Sequence, residues 1–243
     1  MVAPHGEIVV GRDRECQWSF LGQVAYHEAW ALQRRLAEAR IQNRVGDMVL
    51  LLEHPPVYTL GRSSRAEDLL APTERLEAQG AQVVSVDRGG QVTFHGPGQL
   101  VAYPIIDLRA WGGGPLRYVR ALEEAAISVV GAFGIAAGRV EKLTGVWVAG
   151  EKIAAIGVKI SRGVTTHGLA LNVSTDLAWF QHIVPCGVGD RGVTSLERLL
   201  GRRVGLEEVV PAMAEQLGEK MGFRMRQVSP ASVLGLAQAA PAT

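Results

Sequence analysis

The sequence predicts a single-domain α+β fold, a mixed or antiparallel sheet flanked by helices. Three observations point there. Strand candidates lie side by side through the middle of the chain, helical periodicity concentrates toward the two ends, and no internal repeat or linker divides the 243 residues. Hydrophobic residues make up 47%, enough for a sizeable core.

Taken in order, residues 1 to about 15 read as a flexible arm. Gly22 to Asn43 reads as a helix, with Ala25, Ala29, Leu32 and Leu36 on one face. Met48 to Glu53 is a continuous apolar run and predicts a buried strand. His54-Pro55-Pro56 breaks it, because proline cannot donate to a ladder, and Val57 to Leu60 resumes as a short strand. Asp68 to Gln79 is expected to be helical. Val83 to Val86, Gln91 to Phe94 and Leu100 to Tyr103 are strand candidates between glycine-rich turns. Leu116 to Phe133 reads as a helix starting just after Pro115. Val146 to Ala149, Lys152 to Ile160 and Thr166 to Val173 are joined by short turns and predict an antiparallel meander. Thr194 and Glu197 fit a capping box for a helix ending at Gly201, and Leu206 to Met221 is a further helix. Residues 229–243 read as a weakly ordered tail.

Composition narrows the function classes. Lys and Arg number 25 against 24 Asp and Glu, a net +1, which argues against a nucleic-acid binder driven by bulk charge. Aromatic residues at 6% disfavour a base-stacking surface. The first residues carry no signal-peptide pattern and no apolar run reaches bilayer length, so a soluble, cytoplasmic chain without membrane contact is expected, its thiols reduced. Asn172-Val173-Ser174 fits a glycosylation pattern without meaning in that compartment. Two cysteines, Cys16 and Cys186, can form neither a multi-disulfide framework nor a four-cysteine zinc site. No His/Cys/carboxylate cluster has ligand spacing, so no metal is expected.

Three constellations could carry chemistry. Arg88-Gly89-Gly90-Gln91-Val92-Thr93-Phe94-His95-Gly96-Pro97-Gly98-Gln99 holds Gly or Pro at five of twelve positions. It is either a pair of glycine-rich hairpins or a loop whose backbone must approach a ligand. It lacks the Walker ending and the dinucleotide spacing. Cys186 sits between Pro185 and Gly187 on a loop, with Arg191 and a helix start near Thr194 close in sequence. A lone cysteine is commonly a small core hydrophobe; this setting instead favours a thiolate. Cys16 has no such setting. Lys152 opens an apolar strand, either as an exposed edge lysine or as a partly buried one able to hold a thiolate or take its proton. Spacing alone cannot pair residues 152 and 186. His95 and His167 each begin a His-Gly pair and could assist a thiol, but each could equally be structural. His54, ahead of two prolines, orders that turn.

Leu52-Glu53-His54-Pro55-Pro56-Val57-Tyr58-Thr59-Leu60-Gly61-Arg62, the block Arg88 to Pro104, Lys152 to Lys159, His167 to Val173 and Ile183 to Gly187 occur in this order. Together they resemble the lipoyl(octanoyl) transferases, the octanoyl-[acyl-carrier-protein]:protein N-octanoyltransferases of lipoate biosynthesis. The likeness spans roughly residues 20 to 225. It implies a biotin/lipoate protein ligase-like, class II synthetase-like fold, with residues 16–228 as the octanoyltransferase catalytic domain. It further implies that Cys186 is the acyl-thioester nucleophile and that Lys152 lowers its pKa and serves as acid/base. Arg88, Gly89, Gly90, Gln91, Val92, Thr93, Phe94 and His95 would line the acyl site, with Ala155, Ile156, Gly157, Gly168, Leu169 and Ala170. The implied reaction moves octanoyl from acyl carrier protein to a lysine of lipoyl domains, those of 2-oxoacid dehydrogenase complexes and the glycine cleavage H protein. Thioester to amide is downhill, so no cofactor or ATP is implied. Backbone N–H groups near Gly168 to Ala170 and Cys186 are the expected oxyanion donors. Three alternatives stay open: an ATP-dependent lipoate or biotin protein ligase, a non-catalytic binder of carrier or lipoyl domains, and a thiol hydrolase.

Overall fold

The structure, a computed structural model, describes residues 14–184 and 191–238. The first elements are β1 (Arg14–Gln23), α1 (Tyr26–Ile41), β2 (Asp47–Glu53) and β3 (Val57–Leu60). Next come α2 (Thr73–Ala78), β4 (Gln82–Ser85), β5 (Val92–His95), β6 (Gln99–Ile105), α3 (Leu108–Trp111) and α4 (Pro115–Ala132). Then follow β7 (Gly138–Val140), β8 (Leu143–Val148), β9 (Glu151–Ser161) and β10 (Val164–Asn172). The chain closes with α5 (Leu196–Leu200), α6 (Leu206–Met221), β11 (Phe223–Gln227) and α7 (Pro230–Gln238). Among the described residues no helix is long and apolar enough to cross a membrane.

A mixed eight-stranded sheet in the order β11-β1-β2-β6-β10-β9-β8-β7 forms the frame, and β4-β3-β5 form a smaller sheet beside it. Only the β1 pairings with β2 and β11 in the large sheet are parallel. The buried run of β2 is explained by burial on both faces. Val49 and Leu51 join the core that includes α4 and α6, while Met48, Leu50 and Leu52 join the core that includes α1 and α7. The predicted meander is the antiparallel β8-β9-β10 segment, with Ala170 opposite Ala155 and Gly168 opposite Gly157.

Four expectations are corrected. Residues 14–23 are a strand, not part of an arm and a helix start. Their alternating polar pattern is locally weak, and parallel pairing to β2 and β11 fixes them. Residues 230–238, expected within a weakly ordered tail, are helical. Val233 and Ala237, one turn apart, bury against the α1 side, and Ser229 Oγ accepts from the Ser232 N–H at 3.2 Å. The helix expected over 68–79 is a 3₁₀ turn at Ala66–Asp68 followed by the short α2. The α5 cap is Ser195, whose Oγ accepts from the Arg198 N–H at 3.2 Å. Thr194, expected at that position, is instead bound through its backbone N–H to the Lys152 carbonyl at 3.0 Å.

Candidate active site

The site is a cavity between the β9–β10 face of the large sheet and the β5 arm of the small one, with Tyr26 of α1 against it. Its cavity volume is about 70 Å³, and it opens to solvent. The two sheets are joined there by the Gly89 N–H donating to the Val158 carbonyl at 2.9 Å.

Lys152 lies at one end. It is 5% exposed, although an isolated edge lysine would be solvated. Its N–H donates to the Gly192 carbonyl at 2.9 Å and its carbonyl accepts from Thr194, so residues 192–194 run parallel beside β9. On the other side of the 185–190 segment, the Val184 N–H donates to the Asp68 carbonyl at 2.9 Å. Cys186 itself lies outside the described residues.

A buried polar chain sets the position of residues 192–194. His95 Nδ1 donates to Gln99 Oε1 at 2.7 Å, Gln99 Nε2 to Asn172 Oδ1 at 2.9 Å, and Asn172 Nδ2 to the Thr194 carbonyl at 3.0 Å. Gln99 Nε2 also reaches the Phe94 carbonyl, which leaves Oε1 as the acceptor and fixes the His95 tautomer.

Arg88 lies toward the other end. Its Nη2 donates to the Thr59 carbonyl at 2.6 Å and to Thr59 Oγ1 at 2.8 Å, and its Nη1 to the Gly89 and Gln91 carbonyls. The guanidinium therefore pins the glycine-rich loop to β3. Behind it His167 Nε2 donates to Asp87 Oδ1 at 2.8 Å, and Lys159 Nζ donates to Asp87 Oδ2 at 2.5 Å. Burial alone would raise the Asp87 pKa, but these two partners outweigh it and hold the carboxylate low. Burial holds His95 well below the ordinary imidazole range and lowers His167 against the pull of Asp87. It pushes His54 down to about 4. His54 Nδ1 donates to the Val24 carbonyl at 2.7 Å, and its Nε2 accepts from Tyr103 Oη at 2.8 Å.

Of the residues expected at the acyl site, Arg88, Gly90, Gln91, Val92, Thr93 and His95 line this cavity. So do Ala155, Ile156, Gly157, Gly168, Leu169, Ala170 and Lys152. Gly89 and Phe94 stand outside the lining. Phe94 stacks instead on Trp179, with ring centroids 5.4 Å apart. Leu169 and Ala170 cannot supply oxyanion donors. They pair with β6 on one side and β9 on the other, so their N–H groups are committed to the ladders. Tyr26, Gln99, Tyr103, Asn172, Phe180 and Val193 line the cavity without having been singled out for it, and His167, weighed only as a possible thiol partner, lines it too. Asn172 carried a signal, a carboxamide ending the apolar run Leu169-Ala170-Leu171, where burial demands a partner. Cys16 is fully buried in β1, and burial pushes its thiol pKa up.

The fold and this cavity define a class. Residues 25–218 match the lipoyl protein ligase A/B catalytic domain, and the chain belongs to that family. Within it, the chain is similar to the octanoyltransferase of Chloroflexus aurantiacus, 52% identical over 210 residues, covering 85% of this chain and 94% of that one. It is also similar to the octanoyltransferase of Solibacter usitatus, 51% identical over 212 residues, covering 87% and 96%. Among solved structures it resembles lipoate-protein ligase A bound with ATP, with a TM-score of 0.73 at 16% identity over 93% of each chain. A bipartite lipoate protein ligase from Thermoplasma acidophilum gives 0.71 at 17%, covering 93% of this chain and 91% of that one. At these identities the likeness to the solved structures is one of fold.

Proposed function

We infer that this chain is an octanoyltransferase, moving an octanoyl group from its thioester on acyl carrier protein to the ε-amine of a lysine on a lipoyl domain. The observation that carries this reading is Lys152, buried at one end of a cavity whose walls include Val92, Ala155, Ile156, Gly157, Leu169 and Phe180. A buried amine at the head of an apolar slot suits a reaction at the carbonyl end of an alkyl chain. About seven buried methylenes at ~0.8 kcal/mol each give ~5–6 kcal/mol of gross binding.

In this reading Lys152 stabilises Cys186 as a thiolate. The thiolate attacks the carrier thioester, the carrier thiol leaves with a proton, and an acyl-cysteine forms. The acceptor amine then attacks that thioester, an amide forms, and the Cys186 thiol is released. Lys152 gives and takes the protons. The relatives' identity favours transfer over ligation, since the ligases match in fold alone.

Mass spectrometry tests this directly. Incubation with octanoyl-carrier protein should add one octanoyl mass at Cys186, and an apo lipoyl domain should then remove it and become octanoylated without nucleotide. A hydroxylamine-labile adduct that still accumulates on Cys186→Ser would overturn the nucleophile. Free octanoate in place of a modified acceptor would identify a hydrolase.

A further inference from the structure

We propose that Trp147 is a positioning residue for Lys152, its indole face fixing where the Lys152 ammonium sits in the site. This rests on the reading that Lys152 acts on Cys186. Trp147 in β8 pairs directly with Lys152 in β9, across a register shift between Val146 and Trp147. Lys152 Nζ lies 4.7 Å from the indole centroid, well within cation–π reach. Arg191, the first described residue after the 185–190 segment, places its Cζ 5.7 Å from the same ring. One indole thus gathers the lysine and the returning end of the segment that contains Cys186.

The lysine stem is confined on a second side by Gly145, whose φ is +126°. A Cβ there would stand 2.7 Å from the Ala154 carbonyl oxygen and 3.4 Å from Lys152 Cε. Gly145 is itself held, its N–H donating to Glu123 Oε1 at 3.3 Å, and Glu123 is paired with Arg120 and Arg139. The other charged groups at this end are Glu151 and Arg198, 3.4 Å apart.

An independent observation points to the face of the ring. Trp147 Nε1 is buried and has no hydrogen-bond partner among the described residues. Burying an indole N–H unpartnered is unfavourable, and phenylalanine or leucine would fill the space without that cost. What tryptophan adds here is the most electron-rich face available to a cation.

The test compares Trp147→Leu, Trp147→Phe and Lys152→Met with the unaltered chain. Cys186 alkylation by iodoacetamide is followed against pH, located by mass spectrometry, beside kcat and KM for octanoyl-carrier protein. In Trp147→Leu the alkylation profile should move to higher pH, about tenfold slower at neutral pH for each pKa unit of displacement. Its kcat should fall while KM holds, and Trp147→Phe should recover part of both. A Trp147→Leu profile that superimposes on wild type while Lys152→Met is displaced overturns the positioning role. If Lys152→Met also superimposes, the Lys152–Cys186 reading fails as well. Should Trp147→Leu not fold, Trp147→Phe decides by the same displacement or superposition.

Discussion

Two buried cations line one cavity and are held by opposite means. Arg88 directs its guanidinium N–H groups into the Thr59, Gly89 and Gln91 carbonyls and Thr59 Oγ1, so its charge is engaged by the loop it braces. Lys152 is fixed by its backbone, through Gly192 and Thr194, and by the ring of Trp147 under its Nζ. Both are nearly unexposed, Arg88 at 6% and Lys152 at 5%. Burial and charge alone therefore do not tell the two cations apart. Their surroundings do: the Arg88 guanidinium is surrounded by carbonyl and hydroxyl acceptors and braces the loop, whereas the Lys152 ammonium faces the indole of Trp147.

The largest effect should break this contrast at Lys152. Lys152→Met keeps the buried stem and removes the amine. Octanoyl transfer should fall by about 10²–10⁴-fold, the range of a lost acid/base group. The melting temperature should move by a few degrees at most. A variant that keeps full transfer, measured by octanoylation of an apo lipoyl domain, would place Lys152 with Arg88 among the braces.

Next in size is a pH effect at the buried histidines in and beside the cavity. His54, His95 and His167 are buried with their pKa values lowered, His54 to about 4. Above pH ~6.5 they are neutral in both folded and unfolded chains. As pH falls below 6.5 the unfolded chain binds more protons, so folding stability drops. For His54 the loss amounts to about 3 kcal/mol and levels off below pH ~4. Urea unfolding at pH 7, 5.5 and 4.5 measures it, and His54→Gln should flatten the slope. A stability unchanged across that window would show that these rings are charged in the fold.

How much of this was legible in the sequence follows from which forces are local. β3 and α6 were read with their observed bounds, because proline, glycine and helical periodicity mark them within a few residues. β1 and β11 were missed because each is half polar and is held by a parallel neighbour distant in sequence. The cavity wall from residues 88 to 95 was legible except for Gly89, whose N–H joins Val158, and Phe94, whose ring stacks on Trp179. Trp147 and Gly145 carried no local mark, since their meaning lies in a cross-strand register with Lys152. Gln99 and Asn172 could have been found by asking where a buried carboxamide in an apolar strand puts its hydrogen bonds.

A smaller effect is expected at the brace itself. Arg88→Lys keeps the charge and loses the fork that reaches Thr59 and Gln91 together. Stability should fall by about 2 kcal/mol, as the buried Thr59 and Gln91 carbonyls lose a donor. Transfer per folded molecule should hold far better than in Lys152→Met, with KM rising as the glycine-rich loop loosens. Single-turnover rates on the folded fraction separate the two. A collapse of kcat as deep as that of Lys152→Met would give Arg88 a direct part in the reaction.

The smallest effect joins the two regions through Gly157, which lines the cavity on β9 beside Arg88. A Cβ at this position would stand 2.9 Å from the Gly89 carbonyl and 3.0 Å from Arg88 Cδ. The first contact is with backbone that cannot yield freely. Gly157→Ala should therefore push the Arg88 loop outward or intrude on the cavity, at a cost of about 1 kcal/mol. Lys152 lies five residues away along the same strand, roughly 16 Å, so the head of the slot should be untouched. The change should appear in chain length and not in chemistry. If the methyl end of the substrate lies at Gly157, losing room for one methylene costs ~0.8 kcal/mol, about fourfold in the ratio of octanoyl to hexanoyl transfer. Competition between the two carrier-bound acyl groups, read by mass spectrometry of the acyl-enzyme, measures that ratio. A ratio that holds while both rates fall together would put the chain end elsewhere and leave Gly157 serving only the brace.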